Sequence, residues 1–410
     1  MFTSFSTALS ALGAHSTAVD VVGNNLANLN TPGFKASTVS FYDLVTQSLG
    51  AGLGETQVGF GVGRPITLRQ FSQGAIQSST GTLDAAIQGD GFLVIRDRTG
   101  ATLYTRGGNL QVDKSGNLLT ATGERVQGWT VAADGTMNTS GAVSDIVIPV
   151  GELKQPRAST TFSFDLNLNA AAPDGETFLA SIEVFDTLGT SHEVTIVFTK
   201  NGANKWDYSI SIPDSDLSSG AVTPVTGTLT FDSKGQLDAN TPAPGVLTVD
   251  NLKSGADQLK LTWELMNGAK PRLTQYAQPS AISANAQDGY PAAQLVRVGL
   301  ADGGKVLAQY SNGQQAVVGQ LAMASIRNPE SLIAVGNNNF QLSARSALPA
   351  IGLPGTGGRG VILGGAIEYS NVDIAREFTN LIVLQRGYQA NSRVVTAVDE
   401  ISQETINLKR

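Results

Sequence analysis

The last forty residues of this 410-residue chain, Asn371 to Arg410, constrain the fold more than any other stretch. Apolar or aromatic residues recur there at intervals of three, four or seven, which places them on one narrow face of a helix. A helix of that length extends over about 55 to 60 Å at roughly 1.5 Å per residue, so its apolar stripe needs a partner. The predicted seam consists of Ile374, Phe378, Leu381, Tyr388, Val395, Val398, Ile401 and Leu408.

The other strong heptad pattern lies at the opposite end of the chain, between Phe2 and Asn30. Thr31-Pro32-Gly33 stops this helix, because proline disfavours a helical conformation in the residue before it and glycine permits a turn. Near the other end, Ser370 and Asp373 match a capping box, which predicts the start of the C-terminal helix. The N-terminal seam consists of Phe2, Phe5, Leu9, Leu12, Val19 and Leu26, with Val22 slightly out of register.

These patterns predict that the two ends of the chain meet as a coiled coil. A helical hairpin that closes an ordinary domain is the alternative. The apolar stripes are thin, and the remaining helix faces are rich in Ser, Thr, Ala and Asn. Because an isolated pair of such helices is marginally stable in water, we expect further copies of the chain to complete the packing.

Between the helices, strand-like runs alternate with turn signals, which predicts a mainly β, multidomain fold with nested domains. Phe92 to Arg96, Glu193 to Phe198 and Lys305 to Tyr310 are three of the predicted strands. A shift toward Ser, Thr, Asp and Pro marks an inserted domain. The predicted divisions are a terminal helical coiled-coil domain (1-30 plus 366-410), an extended connecting segment (31-70), a first β domain (71-149 plus 284-346), an inserted outer β domain (150-283) and a linker (347-365).

Composition argues against several classes of function. Charged residues make up 15% of the chain and the net charge is -7, so there is no basic footprint for a nucleic-acid partner. The chain has no cysteine, which excludes disulfides and thiolate metal sites. No positive residue precedes Lys35 and no apolar run approaches 18 residues, so we expect neither a secretory signal nor membrane insertion.

The candidate chemical sites are weak. Gly299 to Lys305 has the spacing of a phosphate-binding loop, but Val306 replaces the Ser or Thr that would hold magnesium. His15 and His192 are the only histidines, and neither belongs to a recognisable Ser-His-Asp arrangement. We therefore predict no catalytic, cofactor-binding or metal site and no enzyme activity. The distant alternative is a secreted cell-wall glycan hydrolase, for which the candidate carboxylates are Asp84, Asp90 and Asp97.

Two runs, one near each end of the chain, have distinctive sequences. Val22 to Lys35 reads VGNNLANLNTPGFK, and Gln385 to Asn391 reads QRGYQAN. They resemble the N-terminal and the C-terminal signature, respectively, of the bacterial flagellar rod and hook family. Shorter similarities occur at residues 86–92, 104–109 and 123–128, so the likeness covers about 1 to 130 and 285 to 410. The motif residues are Asn24, Asn25, Asn28, Thr31, Pro32, Gly33, Phe34, Gln385, Arg386 and Tyr388.

The resemblance implies a structural subunit of the flagellar hook, because the chain length and the large insertion are similar to those of hook subunits. Such a subunit would polymerise into a curved, flexible tube that transmits motor torque to the filament as a universal joint. Residues 58–71 also resemble the distal rod branch, so a distal rod subunit of the basal body is the alternative.

The resemblance also implies partners and a location. The partners would be copies of the chain itself, the rod, hook-cap and hook-filament junction proteins, and the flagellar export apparatus, with no cofactor. The location would be extracellular, after export without a cleavable signal peptide. In the tube, the terminal helices would form the inner layer and the inserted domain the outer one.

Overall fold

The computed structural model describes residues 2–44, 47–48, 57–132, 136–238 and 241–407. The chain divides into two compact units. Unit 1 comprises Met1–Val150, Arg297–Ala308 and Gln315–Arg410, and unit 2 comprises Gly151–Val296 and Gln309–Gln314. Strands fill most of the chain between two long terminal helices, so the fold is mainly β with N- and C-terminal helices, as predicted.

Up to Val150, one helix is followed by short strands: α1 (Phe2–Ala27), β1 (Ser37–Ser40), β2 (Gln47–Ser48), β3 (Gln57–Val58), β4 (Ile66–Arg69), β5 (Ile76–Ser78), β6 (Ala85–Gln88), β7 (Phe92–Arg96), β8 (Thr102–Thr105), β9 (Leu110–Val112), β10 (Leu118–Thr120), β11 (Arg125–Thr130) and β12 (Ser144–Asp145). The next strands are β13 (Leu153–Lys154), β14 (Thr161–Asn169), β15 (Thr177–Phe185), β16 (Ser191–Lys200), β17 (Lys205–Ser211), β18 (Val225–Thr230), β19 (Leu247–Val249), β20 (Leu259–Trp263), β21 (Met266–Asn267), β22 (Lys270–Pro271), β23 (Leu273–Tyr276) and β24 (Ala281–Gln287).

The C-terminal part of the chain continues with strands and ends in the second helix: β25 (Ala293–Ala301), β26 (Lys305–Tyr310), β27 (Gln315–Leu321), β28 (Met323–Ser325), β29 (Ile333–Gly336), β30 (Asn339–Gln341), β31 (Ala350–Gly352), β32 (Val361–Gly364), β33 (Ala366–Glu368) and α2 (Ile374–Asn407). Short 3-10 turns occur at Asp214–Asp216, Asp302–Gly304 and Pro329–Ser331.

The helix boundaries differ from the prediction. Asp373 caps α2, because its Oδ1 accepts a hydrogen bond from the Arg376 backbone N–H at 3.1 Å. Ser370, which was expected to take part in the cap, accepts a hydrogen bond from Val372 N–H at 3.3 Å instead. The helix therefore starts at Ile374, and residues 366–368, assigned to the helical domain, form β33 and pair with β5.

Two further segments also differ from the sequence-based assignment. α1 ends at Ala27, three residues before Asn30, and the chain continues in turns. The segment 347–365, predicted as a linker, contains β31, which pairs with β28, and β32, which pairs with β6. Backbone pairing thus holds parts of this segment in strands, although its glycine and proline content predicted a linker.

Unit 1 is built around an antiparallel sheet. Its strands follow the order β27-β11-β7-β8-β30-β29, and the core on it includes Phe92, Tyr104, Trp129 and Phe340. Phe71, which follows β4, packs edge-on against Phe92 and Phe340 with ring centroids 5.4 and 5.2 Å away. Aromatic packing of this kind ties the segment after β4 to the sheet.

Unit 2 consists of two sheets packed face to face. One has the order β15-β16-β17-β18, and the other has the order β19-β20-β14-β23, with β24 also paired to β14. Side chains along β16 alternate between the core and the opposite face, as a half-buried strand requires. The Trp263 ring lies 5.9 Å from Phe198 and 5.3 Å from Tyr208, which joins the two sheets in one core.

Asp288, directly after β24, is a carboxylate whose hydrogen bonds should make the stability of unit 2 depend on pH. Asp288 accepts hydrogen bonds from the backbone N–H groups of Thr160 and Thr161, at 2.7 and 3.0 Å, and from the Thr160 hydroxyl. Burial acts to raise the pKa of Asp288, but these hydrogen bonds outweigh burial and hold the pKa below its usual value. This stabilisation is present above the unfolded value of 3.8 and is lost as the pH falls through the lower folded value.

We therefore expect Asp288→Asn to lower the free energy of unfolding by about 1–2 kcal/mol at pH 7 and by progressively less as the pH falls through the lowered pKa of Asp288, below which both proteins carry a neutral group. Urea titration followed by tryptophan fluorescence measures this difference. Asp257→Asn, at an exposed aspartate, is the matched control. Equal losses in the two variants at pH 7 would contradict the expectation.

Candidate assembly interface

The two terminal helices contact each other in unit 1 and run in opposite directions. His15 of α1 lies against Gly387 of α2, where a Cβ atom would be 2.6 Å from the imidazole Cε1. Ala18 and Val22, later in α1, share a cleft with Leu384, earlier in α2. The face of α1 that is buried carries mostly small side chains, Ala8, Ala14, Ala18 and Val22. Small residues allow the helices to approach closely.

The predicted seam residues divide between half-buried and exposed positions. The half-buried ones are Leu12, Val19, Leu26, Leu381, Val395 and Val398. The exposed ones are Phe5, Leu9, Ile374, Phe378, Tyr388 and Ile401. Nothing is described of the Phe2 side chain, and Leu408 lies outside the described residues. The largest apolar side chains of the predicted seam thus lie exposed in the monomer, beside the small-residue face that joins α1 to α2.

Further exposed apolar residues on α2 were not part of the predicted seam. They are Ile382, Val383, Val394 and Ile406. The signal was present in the sequence, because Leu381 to Leu384 form four consecutive apolar residues and cannot all lie on one helix face. An apolar surface that extends over more than one face of a helix indicates more than one neighbouring element.

The motif residues at the end of α1 and just after it build the turn that joins the helix to the sheets of unit 1. Asn25 is buried, donates to the Ser37 carbonyl oxygen at 2.8 Å and accepts from the Ser37 N–H at 2.9 Å. Thr31 Oγ1 donates to Asn28 Oδ1 at 3.1 Å. The remaining positions are buried Gly33 and Phe34, half-buried Pro32, and exposed Asn24, Gln385, Arg386 and Tyr388.

Gly33 is required by both its conformation and its surroundings. Its φ is +70°, and a Cβ atom there would lie 2.9 Å from the backbone of Arg106 and of Gly107. Because backbone atoms cannot move aside as a flexible side chain can, we expect Gly33→Ala to lower the free energy of unfolding by at least about 2 kcal/mol. Urea titration followed by circular dichroism measures the loss.

Gly100→Ala is the matched control for that substitution. Gly100 also has a positive φ, +90°, but nothing lies within 4 Å of the position that its Cβ would take. It should show only the conformational cost, about 1 kcal/mol. Equal losses of stability in the two variants would show that the close approach of the Arg106 and Gly107 backbone to Gly33 does not add to the cost.

A buried ion cluster, Lys35, Arg106 and Glu368, lies next to this turn. The Lys35 ammonium is 2.6 Å from Glu368 Oε1 and donates to the Ser72 carbonyl oxygen at 2.8 Å. Arg106 Nη1 is 3.4 Å from Glu368 Oε2, and the Gly74 N–H donates to Oε1 at 2.8 Å. Burial lowers the pKa of Lys35, an effect that the Glu368 carboxylate opposes. The cluster joins the segments that follow α1 and precede α2.

The candidate chemical sites do not assemble in the described structure. His192 lies between Asp186 and Asp216, at 3.2 and 3.0 Å, while the Ser254 hydroxyl donates to Asp186 rather than to the histidine. Asp97 accepts hydrogen bonds from the N–H groups of Thr99 and Ala101, which is the arrangement of a turn residue. The described contacts of His192 and Asp97 are thus with neighbouring residues of the same fold.

The described residues form neither a metal-binding cluster nor a membrane-spanning helix. They contain no group of three or more His, Cys, Asp or Glu side chains that could hold a metal ion. Neither α1 nor α2, over the residues that the structure describes, combines the length and the apolarity needed to cross a membrane.

Four family models match the chain. The Flagella basal body rod protein model matches residues 5–35, which include most of α1, and the Flagellar basal body rod FlgEFG protein C-terminal model matches residues 363–408, which include α2. The Flagellar hook protein FlgE/F/G D1 domain model matches residues 86–167. The Flagellar basal body protein FlaE D2 domain model matches residues 158–290, which lie within unit 2.

Curated relatives match over their full length. The Flagellar hook protein FlgE of Escherichia coli is 32% identical over 99% of this chain and 100% of its own, and that of Borreliella burgdorferi is 31% identical over 100% of both. The crystal structure of the Helicobacter pylori flagellar hook protein FlgE2 is 15% identical, covers 70% of this chain and 99% of its own, and has a TM-score of 0.52, which indicates a shared fold. The chain therefore belongs to the bacterial flagellar hook protein family and is a structural subunit of the hook.

Proposed function

We propose that the chain polymerises through α1 and α2, and that these helices form coiled coils with those of neighbouring copies. The observation that carries this proposal is the exposure of large apolar side chains at both ends of the chain. Phe5, Leu9, Phe378 and Ile382 are each at least 40% exposed in the isolated chain. Apolar surface of this kind is stabilised when another molecule covers it.

The polymer would be the curved, flexible tube that transmits motor torque to the filament. Charged residues make up only 15% of the chain, and 46 of its residues are glycine, so neighbouring copies form few fixed ion pairs and can shift against one another. The terminal helices would line the tube and the inserted domain, residues 150-283, would lie outside. The rod, hook-cap and hook-filament junction proteins and the export apparatus would be the partners, and the chain would act outside the cell without enzyme activity.

Removal of the terminal helices tests this proposal. The full chain should sediment as tubes that are visible by electron microscopy, and a chain limited to residues 31–371 should stay monomeric while it keeps its β circular dichroism. Because the truncated chain retains the sheets of unit 1 and unit 2, loss of assembly would be assigned to the helices. Normal tubes from the truncated chain would contradict the proposal.

A further inference from the structure

A cleft of about 240 Å³ opens beside the helix pair in unit 1. Both helices and the chain around β1 contribute to it. Its walls are mostly apolar, and of the described residues that line it, only Glu377 is charged. The residues that matter for the argument are Val21, Val22, Val39, Phe41, Glu377 and Leu384. We refer to it as the terminal cleft.

Glu377 is incompletely paired in the isolated chain. The residue is only 6% exposed, and its Oε2 atom has no hydrogen-bond partner in the described part of the structure. A buried carboxylate oxygen without a donor costs about 1–3 kcal/mol or more. Residues 1–34 contain no lysine or arginine, and Lys35 is occupied by Glu368. The neighbouring helix α1 therefore offers no lysine or arginine to this carboxylate.

Two arginines lie on the exposed side of α2. Arg386 and Arg393 are exposed, and neither forms an ion pair with any of the described residues. Arg386 follows Glu377 by nine residues, so at about 100° and 1.5 Å per residue it lies on the opposite side of α2 and about 13 Å further along. Arg393 is seven residues later, on nearly the same face. Neither arginine can reach Glu377 of its own chain.

Arginine matches the terminal cleft in both parts of its side chain. Its methylene stem can pack against Val22, Phe41 and Leu384, while its guanidinium can donate to the Glu377 carboxylate. An arginine is also the kind of residue that the polymer would bring close, since every neighbouring copy carries α2. We propose that Glu377 in the terminal cleft of one copy binds Arg386 or Arg393 from the α2 helix of a second copy. This inference rests on the proposed polymerisation.

Charge exchange tests the contact with the full-length chain. The critical concentration for assembly, measured by sedimentation, should rise at least about thirtyfold in Glu377→Arg, because one charge of a desolvated pair is then opposed. Arg386→Glu or Arg393→Glu, whichever removes the contacting residue, should have the same effect. The double variant that combines Glu377→Arg with that substitution should return to within a few-fold of the unmodified chain.

The controls distinguish loss of this contact from loss of folding and from failure of the proposed polymerisation. Arg386 and Arg393 are exposed, so their variants should keep the thermal unfolding midpoint of the monomer. Arg376 is another exposed arginine of α2. Arg376→Glu should neither impair assembly strongly nor rescue Glu377→Arg. The inference is overturned if Arg386→Glu and Arg393→Glu both assemble like the unmodified chain, or if neither double variant recovers. If the unmodified chain itself formed no polymer, the proposed function would fail instead.

Discussion

Phe378→Asp is expected to abolish assembly and to leave the monomer folded. The Phe378 side chain is 51% exposed in the isolated chain, so its replacement removes little intramolecular packing. In the proposed polymer this ring is covered by a neighbouring copy, and its burial contributes about 1.5–3 kcal/mol. An aspartate at the same place would also need to be desolvated, so the critical concentration for assembly should rise by about a hundredfold or more.

Sedimentation, together with thermal unfolding of the monomer, measures both halves of this expectation. Thr379→Asp is the matched control, because Thr379 is exposed, lies beside Phe378 and receives the same charge without loss of an aromatic side chain. If Phe378→Asp assembled at the same critical concentration as the unmodified chain, the Phe378 ring would not lie in an interface. A large fall in the unfolding midpoint of the monomer would show that it is part of the monomer core instead.

Glu368→Ala is expected to have the opposite effect, with a large loss of monomer stability. The carboxylate is fully buried between Lys35 and Arg106, at 2.6 and 3.4 Å, so its removal leaves two cations in the protein interior with one less partner. Removal of one member of a buried ion pair typically costs about 3–5 kcal/mol. Urea titration followed by circular dichroism should show a loss of that size.

A second substitution removes one of the two unpaired cations together with the carboxylate. Lys35→Met combined with Glu368→Met removes both the carboxylate and one cation and replaces them by apolar side chains of similar length. Arg106 retains the carbonyl oxygens of Gly89 and Gly91, to which it donates at 2.8 and 3.0 Å. The double variant should therefore be more stable than Glu368→Ala. Equal stability of the two would contradict this expectation and assign the loss to the hydrogen bonds that the Glu368 carboxylate accepts from Lys35 and the Gly74 N–H, which both variants lack.

Local sequence patterns predicted much of the secondary structure. β7 and β26 have the bounds that the sequence suggested, and the predicted strand from Glu193 to Phe198 lies within β16. These strands are marked by apolar side chains at alternate or successive positions and by turn residues at their ends, which are short-range features. The two long helices are likewise encoded in their own periodicity.

Interactions between distant residues could not be predicted in this way. Lys35 and Glu368 are 333 positions apart, and neither is marked as a buried residue by its neighbours in the sequence. The orientation of the helices was also ambiguous. Large apolar residues suggested the contact between α1 and α2, whereas small ones such as Ala18 and Gly387 form it, because close approach favours residues with little side chain. The neighbours of Glu377 in the sequence likewise do not mark it as buried, so its carboxylate oxygen without a hydrogen-bond partner is evident only from the structure.

If this chain builds the hook, electron microscopy of basal bodies from cells that lack its gene should show complete rods without a curved hook. Hooks of normal curvature should return once the gene is restored. Rods that stop short would assign the chain to the rod instead. Intact hooks and normal motility without the gene would show that this chain does not build the hook.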